Sequence, residues 1–185
     1  MNSSKKHSIL IVDDEPDILQ SLLGLLRREF ELFTATSGEE ALAILKKHPI
    51  QVVMTDQRMP GMTGVELMRQ VRVDYPDSIR IVFTGYADIK AVVEAINTGG
   101  LYRYITKPWD PDNLIELLHQ AASEHDECYD LRRLAADLRQ HILQAQQLVG
   151  SVDVEKLSAA NGMPDVRQFT ETGQQLLARL DQIAQ

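Results

Sequence analysis

The sequence predicts an α/β protein: a doubly wound, five-stranded parallel sheet with a long helical C-terminal extension. Three observations carry that expectation. Five short runs rich in Val, Ile, Tyr and Thr recur along the first 110 residues, each bounded by turn formers. Amphipathic stretches fill the gaps, and strict strand–helix alternation favours parallel strands joined by right-handed crossovers. Beyond Pro111 a helical pattern continues without Gly or Pro as far as Val149.

The elements follow in order. Ser8–Val12 is the first strand and ends at Asp13-Asp14. Pro16–Arg28 carries Ile18, Leu19, Leu22, Leu23, Leu25 and Leu26 at helical spacing. Leu32–Ala35 is the second strand. Ser37, with Glu40 three residues on, predicts a capping box for a helix over Gly38–Lys47. Gln51–Thr55 is the third strand and ends at Asp56, with a helix over Val65–Val73 after it. Arg80–Phe83 is the fourth strand and ends at Thr84-Gly85; a helix over Ala87–Asn97 then closes at Gly99-Gly100. Tyr102–Thr106 is the fifth strand and ends at Lys107-Pro108. Asp110 and Pro111 are the N-cap and first position of the last helix. Trp109 just before them reads as a packing residue that locks this helix, the lesser reading being a partner-docking residue.

Along that last helix Leu114, Leu117, Ala121, Glu124, Cys128, Leu131, Ala135, Leu138, Ile142, Ala145 and Val149 alternate by three and four. That is a heptad seam, and its apolar face needs a partner. Leu134 and Leu148 widen the stripe, which suits a four-helix arrangement or cover by a short amphipathic helix over Phe169–Ile183. The expected organisation is a globular domain over 1–123, a coiled-coil-like extension of the fifth helix over 124–149, and a loop with a short helix over 150–185. A homodimer through the extended helix is the expected assembly.

Composition excludes several classes. The chain has 185 residues with 44% hydrophobic and 25% charged, the balance of a globular protein. Its net charge of -8 and pI of about 5.1 make it a poor binder of phosphate backbones or anionic lipid. The 150–185 segment is acidic and too short for a DNA-binding output domain, so no direct nucleic-acid contact is expected. The apolar run Ile9–Val12 is far short of the roughly 18 residues of a membrane span. Cys128 is the single cysteine and excludes an intrachain disulfide. His125 and Cys128 are three apart on the long helix with no further ligand, and His119 and His141 add none, so a metal site there is not expected. The expected location is the cytoplasm.

Chemistry-bearing residues fall at the carboxyl ends of the strands, where a doubly wound sheet binds its ligands. They are Asp13 and Asp14, Asp56, Thr84 and Lys107. With the strand order 2-1-3-4-5, the three carboxylates converge. Crowded carboxylates repel, and a hard divalent ion such as Mg²⁺ relieves the conflict. A hydroxyl and an ammonium opposite them suit a phosphoryl group. The pocket therefore reads as a metal-assisted phosphoryl site with a carboxylate nucleophile.

The ordered set IVDDE (Ile11–Glu15), TDQRMPGMTGVEL (Thr55–Leu67), TGYAD (Thr84–Asp88) and YRYITKPW (Tyr102–Trp109) resembles the response-regulator receiver domain of two-component signalling, a flavodoxin-like fold. The resemblance covers about Ile9 to Ala122. It implies that Asp56 accepts a phosphoryl group from a histidine kinase or phosphotransfer protein. It implies Asp13, Asp14, Asp56 and the backbone carbonyl of Arg58 as the Mg²⁺ set, with Asp13 acting mostly through water. Thr84 and Lys107 would hold the phosphoryl oxygens, Tyr104 would be the aromatic switch residue, and the Lys107-Pro108 bond would be cis. Arg58 and Tyr86 would flank the path of attacking water and slow hydrolysis; the alternative is two solvated rim residues.

The chain is thus expected to be a phosphoacceptor switch rather than an enzyme, signalling through dimerisation or partner binding. The alternative is the regulatory portion of a larger enzyme or transcription activator, such as a cyclic-di-nucleotide phosphodiesterase or ATPase. A binding module that no longer uses phosphate is disfavoured by the complete set of five site residues.

Overall fold

The computed structural model describes residues 6–85, 93, 101–150 and 171–178. In chain order the elements are β1 (Ser8–Val12), α1 (Pro16–Leu26), β2 (Glu31–Ala35), α2 (Gly38–Leu45), β3 (Val52–Asp56), α3 (Gly64–Asp74), β4 (Ile79–Thr84), β5 (Arg103–Thr106), α4 (Pro111–Gly150) and α5 (171–178). Of the helix expected over Ala87–Asn97 only Val93 is described, and it is helical. Gly99, Gly100 and most of the loop expected after Gly150 lie outside the described residues.

The sheet has the order β2-β1-β3-β4-β5 and every pairing is parallel. Period-two alternation sends successive side chains to opposite faces. Leu10, Val12, Val53 and Val82 join a core that includes Ala41, Leu45, Leu67, Met68 and Val71 from α2 and α3. Ile9, Ile11, Val52, Met54, Ile81 and Phe83 join a second core with Leu19, Leu22 and Leu26 of α1 and Leu114 and Leu118 of α4. Both faces are covered, so β1 and β3 are buried along their whole length and read as continuous apolar runs.

The strands extend further than their apolar runs suggest. Asp56 pairs with Phe83, and Thr84 pairs with Thr106, so both lie inside the ladder rather than after it. Ladder hydrogen bonds continue through a polar residue as readily as through an apolar one, which apolarity alone does not reveal.

The starts of α2, α3 and α4 carry side-chain caps, with one shift from expectation, whereas α1 opens on Glu15 without one. Ser37 Oγ accepts from the Glu40 amide at 3.2 Å, but the Glu40 carboxylate bonds Thr36, one residue upstream of the cap. A reciprocal box is formed instead by Thr63 and Glu66 at the start of α3. Asp110 Oδ1 accepts from the Asn113 amide, and Pro111 opens α4 as expected.

The chain divides into two compact units, Met1–Asp126 and Glu127–Gln185. Within the first, α4 buries Leu114, Leu118, Ala121, Ala122 and His125, whereas Leu117 is half-buried and Glu124 exposed. A helix lying on a sheet presents a broad 3.6-period stripe, not a narrow 3.5-period seam, so the expected seam does not begin here. Within the second unit Ala135 is buried and Cys128, Ile142 and Ala145 are half-buried, while Leu131 is 60% and Leu138 45% exposed. The short helix expected over Phe169–Ile183 is described over 171–178. Among the described residues, no helix is long and apolar enough to cross a membrane.

Candidate functional site

The site lies where β1, β3, β4 and β5 end. Val12 pairs with Thr55 on the neighbouring strand, so the residues just beyond, Asp13 and Asp56, end up side by side. Asp13 is fully buried and Asp56 nearly so. Asp13 Oδ1 accepts from the Glu15 amide at 2.8 Å, a local turn that directs the chain into α1, and the Asp13 amide donates to Ala35 O. Asp56 Oδ2 accepts from the Arg58 amide at 2.5 Å. Asp14 follows Asp13 and is half-buried.

Lys107 reaches these carboxylates from β5. Its Nζ pairs with Asp56 Oδ1 at 2.5 Å and donates to Asp13 Oδ2 at 3.2 Å. The Lys107 amide donates to Thr84 O at 2.9 Å and the Lys107-Pro108 bond is cis. The ammonium also rests 4.7 Å from the centre of the Phe83 ring, which packs edge-on against Trp109 at 5.7 Å.

Burial lifts the Asp13 carboxyl above its ordinary pKa. The Glu15 amide and Lys107 oppose this without cancelling it, and repulsion from Asp56 adds to it. Burial alone would lower the Lys107 ammonium, but Asp56 and Asp13 together outweigh it and raise its pKa. By formal charge the two carboxylates outnumber the Lys107 ammonium by one.

The remaining predicted residues fall as follows. Thr84 is buried, and its hydroxyl donates to Gly85 O at 3.1 Å. Tyr104 is half-buried against the core that α2 and α3 share. Arg58 is exposed. Tyr86 lies outside the described residues. Trp109 packs against the α1/α4 core, in the packing role expected of it. Among the described residues, no group of three or more His, Cys, Asp or Glu side chains is set to hold a metal ion by itself, and the cation between Asp13 and Asp56 is Lys107. The donor set suits Mg²⁺ in kind: carboxylate and carbonyl oxygens only, with excess negative charge.

Two features have no counterpart in the sequence reading. Gln57 is buried beside Asp56, with its side-chain carbonyl on the Val65 amide; a polar residue following a strand's apolar run is the one signal for it. At the opposite, amino-terminal ends of the strands Asp126 accepts from Gln51 Nε2 at 3.2 Å and pairs with His7 at 2.8 Å and His125 at 3.1 Å. That cluster joins residues 119 apart and leaves no local pattern.

The fold and the strand-end site together define a receiver module of two-component signalling. The model of the response regulator receiver domain matches residues 9–119, and the chain belongs to that family. The hydrogenase transcriptional regulatory protein HoxA of Cupriavidus necator is 42% identical over 137 residues, 74% of this chain and 28% of HoxA. The chain thus spans little more than a quarter of that relative's length. Two solved structures are also similar. An adenylate cyclase from Rhodopirellula baltica has a TM-score of 0.68 and 35% identity, with 70% of this chain and 96% of that chain covered. The response regulator TrrA from Thermotoga maritima, in complex with Mg²⁺-BeF, has a TM-score of 0.56 and 31% identity, with 62% and 98% covered.

Proposed function

We propose that the chain is a two-component phosphoacceptor switch in which Asp56 takes a phosphoryl group from a histidine kinase or phosphotransfer protein. The observation that carries this reading is the position of Asp56 at the end of a central strand, beside buried Asp13 and bridged to it by the Lys107 ammonium. In the transfer, an Asp56 oxygen attacks phosphorus in line. The P–N bond of the donor phosphohistidine breaks, and the imidazole keeps the bonding pair and takes up a proton. The Asp13, Asp14 and Asp56 carboxylates with the Arg58 carbonyl would hold Mg²⁺, which when bound supplies charge neutralisation between the two reacting anions. Lys107 turns from the carboxylates to a phosphoryl oxygen as its counter-charge, and the Thr84 hydroxyl turns from Gly85 O toward another. Tyr104 follows inward as the switch residue. Large side chains at Arg58 and Tyr86 then slow hydrolysis. This is a stoichiometric switch, not a turnover enzyme, and we place it in the cytoplasm.

The exposed leucines of α4, Leu131, Leu134, Leu138 and Leu143, support a homodimer through that helix. A second reading, the receiver portion of a larger regulator, is favoured by the small share of HoxA that the chain spans. HoxA is named as a transcriptional regulator; on this reading DNA contact belongs to a separate output domain. The test of the site is incubation with Mg²⁺ and acetyl phosphate. Wild type should gain the mass of one phosphoryl group and Asp56→Asn should gain none; labelling that survives in Asp56→Asn refutes the assignment.

A further inference from the structure

Gln57 stands between the proposed phosphoacceptor Asp56 and Arg58, and it makes three directed contacts. Its amide donates to Phe83 O at 3.1 Å, carrying the β3–β4 ladder one residue past Asp56. Its main-chain carbonyl accepts from the Gly64 amide at 3.1 Å. Its side-chain Oε1 accepts from the Val65 amide, also at 3.1 Å. The first amides of a helix have no partner within the helix. In α3 the first two are taken by Gln57 and the third by Thr63 Oγ1.

The side chain is only 8% exposed, and an apolar residue of equal size would fill the same space. Burying an amide there is unfavourable unless it is hydrogen-bonded. The Val65 contact is thus what the glutamine supplies and a hydrophobic residue would not. The clamp also has little slack. A Cβ added at Gly64 would lie 2.2 Å from Asp56 O, so the helix start abuts the backbone of Asp56 itself. Between the two clamped points runs Arg58, whose amide holds Asp56 Oδ2 and whose carbonyl is a proposed metal ligand.

We infer that Gln57 is a positioning residue: by tying the start of α3 to the ends of β3 and β4, it fixes the Arg58 amide and carbonyl against the Asp56 carboxylate. This rests on the phosphoacceptor reading of Asp56. Gln57 touches neither metal nor phosphoryl group and acts through Arg58 and Asp56.

The test uses the full chain. Mg²⁺, and then beryllium fluoride with Mg²⁺ present, are titrated into wild type, Gln57→Met and Ser78→Ala. Methionine keeps the volume and removes the acceptor. Gln57→Met should bind Mg²⁺ roughly tenfold more weakly, the size of effect seen for residues that orient metal ligands. Its Val65 amide should exchange with solvent faster than in wild type. Ser78→Ala removes the 2.7 Å bond from buried Ser78 Oγ to Ile50 O at the amino ends of β3 and β4, away from the site. It should lower the melting temperature and leave Mg²⁺ binding at the wild-type level. Unchanged Mg²⁺ binding or Val65 exchange in Gln57→Met, or an equal loss of binding in Ser78→Ala, overturns the inference. If Gln57→Met does not fold, Gln57→Asn, one methylene too short to reach Val65, gives the same comparison. A wild type that binds neither Mg²⁺ nor beryllium fluoride overturns the phosphoacceptor reading and this inference with it. A wild type that binds both, beside an unaffected Gln57 variant, overturns this inference alone.

Discussion

Glycine-to-alanine substitution should have opposite signs at Gly24 and Gly64. Gly24 is exposed in the interior of α1, and a Cβ there meets nothing within 4 Å. Alanine removes backbone freedom from the unfolded chain and has the better helix propensity, so Gly24→Ala should stabilise by about 0.5–1 kcal/mol. At Gly64 the added Cβ would lie 2.2 Å from Asp56 O and 3.0 Å from both Asp56 C and Thr55 Cγ2. Ordinary contact begins at 3.4 Å, so the backbone of β3 or the start of α3 must retreat by 3.4 − 2.2 = 1.2 Å. Neither can do so freely, because Asp56 is in the ladder and Gly64 is bonded to Gln57 O. Overpacking of a core typically costs about 1–3 kcal/mol, and a clash with backbone belongs at the upper end. Gly38 is the intermediate case: its Cβ would meet Met62 Sδ at 2.7 Å, which can swing away, and Met62 Cβ and Cγ at 3.1 and 3.2 Å, which must yield by a few tenths of an ångström. Urea unfolding of the three variants should rank them Gly24→Ala, Gly38→Ala, Gly64→Ala from most to least stable. Thermal midpoints should move by a few degrees per kcal/mol. On the proposed reaction Gly64→Ala should also slow labelling by acetyl phosphate, since it shifts Asp56. A Gly64→Ala chain as stable as wild type would show that α3 does not abut Asp56.

Asp126→Asn should lower the melting temperature at pH 5, and the difference should close as the pH falls. Burial is the largest single influence on the Asp126 carboxyl and raises it, but hydrogen bonds and charge attraction from His7 and His125 together outweigh it and hold the group below its ordinary pKa of 3.8. A depressed carboxylate stabilises the fold above the unfolded value and ceases to do so as pH drops through the folded one. The side chain is half exposed, so the effect is small, and a gap that widens in acid contradicts the sign. Phe83→Ala should cost about 3–5 kcal/mol in urea unfolding and red-shift the emission of Trp109, the single tryptophan. An unshifted spectrum would mean that the two rings are not in contact. For the proposed dimer, light scattering should give twice the chain mass for wild type and the single-chain mass for Leu131→Glu/Leu138→Glu. Equal masses for the two would remove the leucine face from the assembly.

The strands and the residues at their ends were readable because both are written locally, whereas the order β2-β1-β3-β4-β5 followed from the doubly wound fold class. Each strand is a short β-rich run, and each site residue directly follows or ends one. The Asp110 cap and Pro111 were readable for the same reason. Where two local solutions compete, pattern alone does not choose. Ser37 and Glu40 have the spacing of a capping box, yet Glu40 takes the amide and hydroxyl of Thr36, whereas Thr63 and Glu66 with the same spacing close the box. The 3,4 periodicity of α4 did not tell a sheet-facing stripe from a helix-facing seam. Only the sheet selects Leu118 and Ala122 over Leu117 and Glu124. The contacts of Gln57 and Asp126 depend on where distant backbone falls, which no window of sequence contains.

The electrostatics of the pocket argue for what it awaits. Two carboxylates, Asp13 and Asp56, meet one ammonium, and burial keeps the Asp13 carboxyl above its ordinary pKa even with Lys107 beside it. By formal charge the two carboxylates exceed the ammonium by one, so a further cation beside them would lower their mutual repulsion. On the proposed reaction a divalent ion supplies that charge and a phosphoryl group returns most of it as anion, so the pocket stays near balance while its contents change. Lys107 is the member of the set whose partners must then be shared. Its ammonium lies against one part of the Phe83 ring and Trp109 against another, with Asp110 and the first turn of α4 directly following. Any displacement of Lys107 toward phosphoryl oxygens thus changes the packing beneath the start of α4. On the proposed reaction, such a displacement would link the chemistry at Asp56 to the first turn of α4.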